Sequence, residues 1–172
     1  LDRILEHNLI RIAHACAHDI DAMLFGDDWG SQRGLIMGPV MWCDFIKPRV
    51  RAMYQAVRRR GKYVFIHSCG CVGELFPELI ECGVQCFNPF QPEVMDPIEM
   101  KRQYGDAISF YGGISTQRTL PYADPHAVRD QVRRLIEEVG RNGGYIAAPA
   151  HAVPADARPE NVAAMIEVLQ NQ

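Results

Sequence analysis

KYVFIHSCGCVGELFPELIECGVQCFNP, residues 62–89, decides the fold class. Its first six residues, 62–67, are a short run of aromatic and β-branched side chains that reads as a strand. VGELFPELIECG, 72–83, reads as a helix that Gly83 stops, and VQCFNP, 84–89, as a second strand. Two short apolar strands joined through a helix, with no tight turn between them, must lie parallel, because parallel strands need a crossover connection.

The same unit recurs on both sides. Residues 1–18 place Ile4, Leu5, Leu9, Ile12, Ala13 and Cys16 at steps of three and four, a helical period, and IDAMLFG, 20–26, is a short apolar run expected to be a buried strand. From Pro39 to Arg60 the apolar positions Val40, Phe45, Ile46, Val50, Met53, Tyr54 and Val57 fit a helix. Gly61 stops it after a last turn of arginines that suits the helix dipole, and Pro48 marks a kink or a second start. Downstream, DPIEMKRQYG (96–105) and DPHAVRDQVRRLIEEVG (124–140) both open with Asp-Pro, the N-cap and N1 signal. AISFYGG (107–113) and GGYIAAPAH (143–151) are strands, and RPENVAAMIEVLQ (158–170) is the last helix. Strand then helix, five times and without hairpin turns, is an α/β fold with parallel strands. Periodicity leaves two architectures open: a doubly wound sheet, or a (β/α) barrel of TIM type, which needs about 250 residues and of which this chain would hold little more than half.

At 172 residues with 48% apolar side chains, the chain is expected to be one globular domain. Its net charge of −3 gives no field that would gather nucleic acid or an anionic membrane. There is no apolar run of the roughly 18 residues that a span requires, and no basic segment leading into an apolar one at the start. The chain does not begin with Met, and the expectation is a fragment or a processed product. Cys16, Cys43, Cys69, Cys71, Cys82 and Cys86 do not look like a secreted disulfide framework, so reduced thiols in the cytoplasm are expected.

Chemistry-bearing residues gather where the strands are expected to end: Asp27 and Asp28, His67 and Cys69, Asn88 and Gln91, Gly112 and Gly113, and His151. In parallel α/β folds the carboxyl edge of the strands is where sites are assembled. Residues i and i+2 of a strand share a face, so an imidazole at 67 and a thiol at 69 converge, a pair that zinc accepts. His151 is the best candidate for a third ligand. The alternative is a histidine capping a carbonyl beside a buried thiol. Cys69 and Cys71 form C-x-C, which lacks the two-residue spacer of a thioredoxin-type pair. Asp27 and Asp28 suit either acid–base work or a solvated turn. The tandem glycines match no nucleotide-binding fingerprint and are read as positions that need small residues, and Trp29 and Trp42 as packing residues.

GDDWGSQRGLIMGPVMWCDFIKPRVRAMY (26–54), FIHSCG (65–70), GVQCFNPFQPEVMDPIEMKRQYGD (83–106), FYGGISTQRTLP (110–121) and GGYIAAPAHAVPADARPENVAAM (143–165), in this order, resemble the carboxyl-terminal half of the uroporphyrinogen decarboxylase superfamily. The resemblance is closer to its corrinoid-linked methyltransferase branch. It implies a TIM-type barrel, with this chain as a single N-terminally truncated domain over 1–172 that supplies about the last five βα units. It also implies a zinc ion held by His67, Cys69 and His151, the last standing where the branch usually has Cys. Asp27 and Asp28 would be catalytic, and Asn88, Gln91 and Gly113 would bind substrate. A partner protein would carry the corrinoid (cobalamin), and a small thiol or similar molecule would take or give the methyl group. Two other readings remain: metal-free decarboxylation of a porphyrinogen, with a carboxylate such as Asp28 stabilising a protonated pyrrole, and a non-catalytic remnant or binding module.

Overall fold

A computed structural model describes residues 1–172, and its main parallel strands are separated by helices. The elements are α1 (Asp2–Ala15), β1 (Ala22–Gly26), β2 (Gly30–Ser31), β3 (Gly34–Leu35), α2 (Gly38–Met41), α3 (Lys47–Arg58), β4 (Tyr63–His67), α4 (Phe76–Cys82), β5 (Cys86–Phe90), α5 (Pro97–Tyr104), β6 (Ser109–Ile114), α6 (Thr119–Tyr122), α7 (Pro125–Glu138), β7 (Tyr145–Pro149) and α8 (Pro159–Gln170). The chain divides into two compact units, Leu1–Phe87 and Asn88–Gln172. The expected α/β class with parallel strands is present in both. No helix is long and apolar enough to cross a membrane.

In the first unit β1 and β4 pair in parallel from Ala22 opposite Tyr63 to Gly26 opposite His67. Val64 and Ile66 face one side and are fully buried, together with Tyr54 and Val57 of α3. Phe25 meets Tyr54 at a ring separation of 5.0 Å, which fixes that face of β1 against α3. Strand side chains alternate, so Leu24 points the other way and is 59% exposed; the expectation of a buried first strand is corrected, since no residue of β1 is fully buried.

The helix expected over 39–60 is interrupted. Trp42–Ile46 form a π-helical turn in which the Lys47 N–H reaches the Trp42 carbonyl, five residues back. Pro48 sits in the first turn of α3, where it lacks an N–H and its ring would press on the carbonyl four residues earlier. The extra residue rotates what precedes it away from the apolar face of α3. Val50, Met53 and Val57 are therefore buried, while Val40 and Phe45, which fit the same helical period in sequence, are exposed. Trp42 itself is buried and packs edge-on against Trp29 at 5.3 Å, so both tryptophans are packing residues.

The absence of hairpins is also corrected. β2 and β3 form a small antiparallel pair, Gly30 opposite Leu35 and Ser31 opposite Gly34. Its turn is tied by the Ser31 hydroxyl, which donates to the Gly34 carbonyl and accepts from the Arg33 N–H, in place of the Asn-Gly or Asp-Gly chemistry that marks such turns in sequence.

In the second unit β6 and β7 pair in parallel, Phe110 opposite Tyr145 through Ile114 opposite Pro149. Both Asp-Pro signals hold: the Asp96 carboxylate accepts from the Ile98 and Glu99 N–H groups, and that of Asp124 from His126 and Ala127. α7 and α8 pack together, burying Val128, Val132, Ala164 and Met165.

Candidate functional site

Because β1 and β4 run parallel and end level with one another, the segments that leave them emerge side by side. Four hydrogen bonds join the two segments. The Asp27 N–H donates to the His67 carbonyl (3.1 Å), the Trp29 N–H to the buried Ser68 hydroxyl (3.1 Å), the Cys69 N–H to Asp28 Oδ1 (2.8 Å) and the Cys71 N–H to the Ser31 carbonyl (2.7 Å). Two glycines permit this approach. A Cβ on Gly70, whose φ is +84°, would lie 2.6 Å from the Gly30 carbonyl oxygen; one on Gly30 would lie 2.8 Å from that of Cys69.

On this frame His67, the last residue of β4, brings Nε2 to 3.3 Å from Cys69 Sγ. That is the convergence expected from the two-residue period of a strand. A tetrahedral zinc with its usual bond lengths to nitrogen and sulfur spaces two such donors about 3.5 Å apart, so the pair fits one side of a zinc centre. Asp28 Oδ1 stands 4.0 Å from the same imidazole nitrogen. Burial, and after it the charge and hydrogen bond of Asp28, hold the Cys69 thiol above the usual thiol range. Burial and the neighbouring Asp28 likewise raise the Asp27 carboxyl, which lines a groove with Asn8, Trp29, Val50 and Met53. All six cysteines are free thiols, and Cys71 is tied into the frame through its backbone.

The remaining candidates lie in the second unit. Gln91 directly follows β5 and is buried, and His151 lies exposed two residues beyond β7. Two expected placements are corrected. Asn88 is at the centre of β5, not at its end, and its amide donates to the Tyr111 carbonyl (3.1 Å). Gly112 and Gly113 lie within β6, where they still pair with Ala147 and Ala148. The Tyr145 hydroxyl donates to the Gly112 carbonyl (2.9 Å), and a Cβ on Gly113 would fall 2.6 Å from that hydroxyl, a packing reason for the second glycine.

Sequence reasoning missed a polar knot after β6. The buried Ser115 hydroxyl accepts from the Arg118 (2.9 Å) and Thr119 (3.2 Å) N–H groups and donates to Glu93. The buried Asn161 amide donates to the carbonyls of Leu120 (2.9 Å) and Ala123 (2.8 Å). The one available signal was the Ser-Thr and Asn residues flanking apolar runs, which many turns share.

A family model described as uroporphyrinogen decarboxylase (URO-D) matches residues 1–172. A uroporphyrinogen decarboxylase of Methylococcus capsulatus is 33% identical over 172 residues, covering 98% of this chain and 47% of that protein. One from Pseudomonas fluorescens is 28% identical over 71 residues, 41% of this chain and 19% of that protein. The chain thus spans at most about half the length of these curated relatives. Among solved structures, a methyltransferase from Methanosarcina mazei matches with a TM-score of 0.75 at 17% identity, over 97% of this chain and 47% of that one. At that identity the likeness is one of fold.

Proposed function

The chain belongs to the uroporphyrinogen decarboxylase family, and within it we propose a zinc-dependent methyltransferase that moves a methyl group between a corrinoid on a partner protein and a small thiol or similar acceptor. The observation that carries this reading is the His67–Cys69 pair, with donor atoms 3.3 Å apart at the end of a parallel strand. The fold it shares with the Methanosarcina mazei methyltransferase supports it. In this reading the five βα units are the last five of a TIM-type barrel, and the protein works in the cytoplasm.

His67 and Cys69 would hold the metal, with His151 as the third ligand that the family resemblance implies. Bound zinc would lower the pKa of a coordinated thiol and so make a thiolate available for displacement at the methyl carbon. Asp27, whose carboxyl is held above its ordinary range, is suited to exchange a proton with substrate, with Asp28 as the second carboxylate beside it. Asn88, Gln91 and Gly113 would contact the substrate.

Zinc content tests the reading. Purified wild-type protein should carry about one zinc per chain, and Cys69→Ala and His151→Ala should each lose most of it. Full metal in both variants would refute the site. A second reading, metal-free decarboxylation of a porphyrinogen, is favoured by the name of the relative at 33% identity. Wild-type protein that takes up no zinc and decarboxylates a porphyrinogen would establish it instead.

A further inference from the structure

We infer that Asp28 is a positioning residue, which sets the direction of the Cys69 thiol by holding its backbone N–H and by facing His67 with the same carboxylate oxygen. The inference rests on reading His67 and Cys69 as metal ligands. Three of the four bonds that join the segments after β1 and β4 are made by backbone groups or by the Ser68 hydroxyl; Asp28 alone brings a charge. Its Oδ1 accepts from the Cys69 N–H at 2.8 Å and stands 4.0 Å from His67 Nε2.

One group from the segment that follows a different strand thus holds the main chain of Cys69 and lies close to the second donor, His67. An N–H bonded to a carboxylate is stronger than a neutral bond, and here it is made by the residue that bears the thiol. Gly70, immediately after it, has no side chain to fix the backbone, and its own conformation is one that other residues rarely adopt. Without Asp28, Cys69 would be held only through its neighbours, the buried Ser68 and the closely packed Gly70. Outer partners of this kind matter for affinity because they remove the cost of aligning ligands when the metal arrives.

The test uses cobalt(II) as the probe, read through its thiolate absorption band, together with amide hydrogen exchange of the metal-free protein. Asp28→Ala should weaken cobalt binding about 10- to 100-fold and shift the thiolate band. Asp28→Asn keeps an oxygen that can accept the Cys69 N–H but not the charge, and should fall between wild type and Asp28→Ala in both. In metal-free protein the Cys69 amide should exchange faster in Asp28→Ala than in wild type or Asp28→Asn, with the core strands unchanged. Equal cobalt affinity in wild type and Asp28→Ala overturns the inference, as does an Asp28→Asn variant as weak as the alanine. Wild-type protein that shows no cobalt–thiolate band refutes the metal reading itself. The exchange rates then decide separately whether Asp28 anchors Cys69, and unchanged protection in Asp28→Ala refutes that.

Discussion

The carboxyl ends of β4 and β6 both carry polar residues, and they use them in opposite ways. After β4, the chain is fixed by the close approach of two backbones, at Gly30 and Gly70, and by four hydrogen bonds, two of them to the Ser68 and Asp28 side chains. The imidazole of His67 and the thiol of Cys69 are then turned toward each other, and the His67 side chain keeps 28% of its surface exposed. After β6, the polar side chains are themselves the frame. Ser115 is 3% exposed and joins three groups, and Asn161 is completely buried and ties the loop that α6 begins. A polar residue at the carboxyl edge of a parallel strand is therefore not by itself a ligand. What separates the two cases is whether other groups already hold the backbone in place.

The largest effect that would break this comparison is expected at Gly70. Gly70→Ala forces a Cβ into the Gly30 and Ser31 carbonyls at a left-handed backbone position, and should cost about 3 kcal/mol or more in urea unfolding. Gly61→Ala is the control: its φ is +72° but nothing lies within 4 Å, so only the conformational cost of about 1–2 kcal/mol applies. Equal losses at the two sites would show that backbone approach does not hold the β4 end. Asn161→Ala comes next. It leaves the buried Leu120 and Ala123 carbonyls without their donor, at about 2–3 kcal/mol. The loss of the Asn161 Oδ1, which has no hydrogen-bond partner, offsets part of this. A neutral outcome would mean that the side-chain frame after β6 is decorative.

The fold was legible because its signals are local. Asp96-Pro97 and Asp124-Pro125 announce helix starts wherever they occur, Gly83 stops α4 with a φ of +99°, and the apolar runs of β4 and β6 need no partner to be recognised. The π turn at Trp42–Ile46 was not legible, since it depends on where Trp42 and Val50 must each be buried, and the helical period alone does not carry that information. At the site, the His67–Cys69 convergence follows from strand geometry and could be expected. The bond from Cys69 to Asp28 joins residues 41 apart in sequence and follows only once the parallel register of β1 and β4 is known. The same holds for Asn161, whose amide reaches carbonyls 38 and 41 residues earlier.

A smaller effect, with a sign fixed by pH, is expected at the cap of α7. The N–H groups of Ala127 and His126 hold the Asp124 carboxyl below the usual carboxylate range. A carboxyl whose folded pKa is depressed contributes stability above its unfolded pKa and loses it as pH falls through the folded value. Asp124→Ala should therefore lower the thermal midpoint at neutral pH, and the gap to wild type should close as the solution is taken from about pH 6 to about pH 2. A gap that stayed constant would assign the effect to something other than the charged cap.

The smallest change in stability is expected at the candidate site itself. If the segment after β4 is held by its backbone, with Asp28 and Ser68 reaching across to it, the Cys69 side chain takes no part in the frame. Cys69→Ala removes a partly exposed sulfur that faces the His67 imidazole at 3.3 Å. The hydrogen bond from the Cys69 N–H to Asp28 does not depend on the side chain and survives the substitution. In metal-free protein the urea midpoint should then correspond to a change within about 0.5 kcal/mol of wild type, while zinc binding falls sharply. The two measurements together separate a residue that serves a ligand from one that serves the fold. A loss of about 2 kcal/mol without metal would place Cys69 in the same class as Asn161, and the distinction between the two strand ends would not stand.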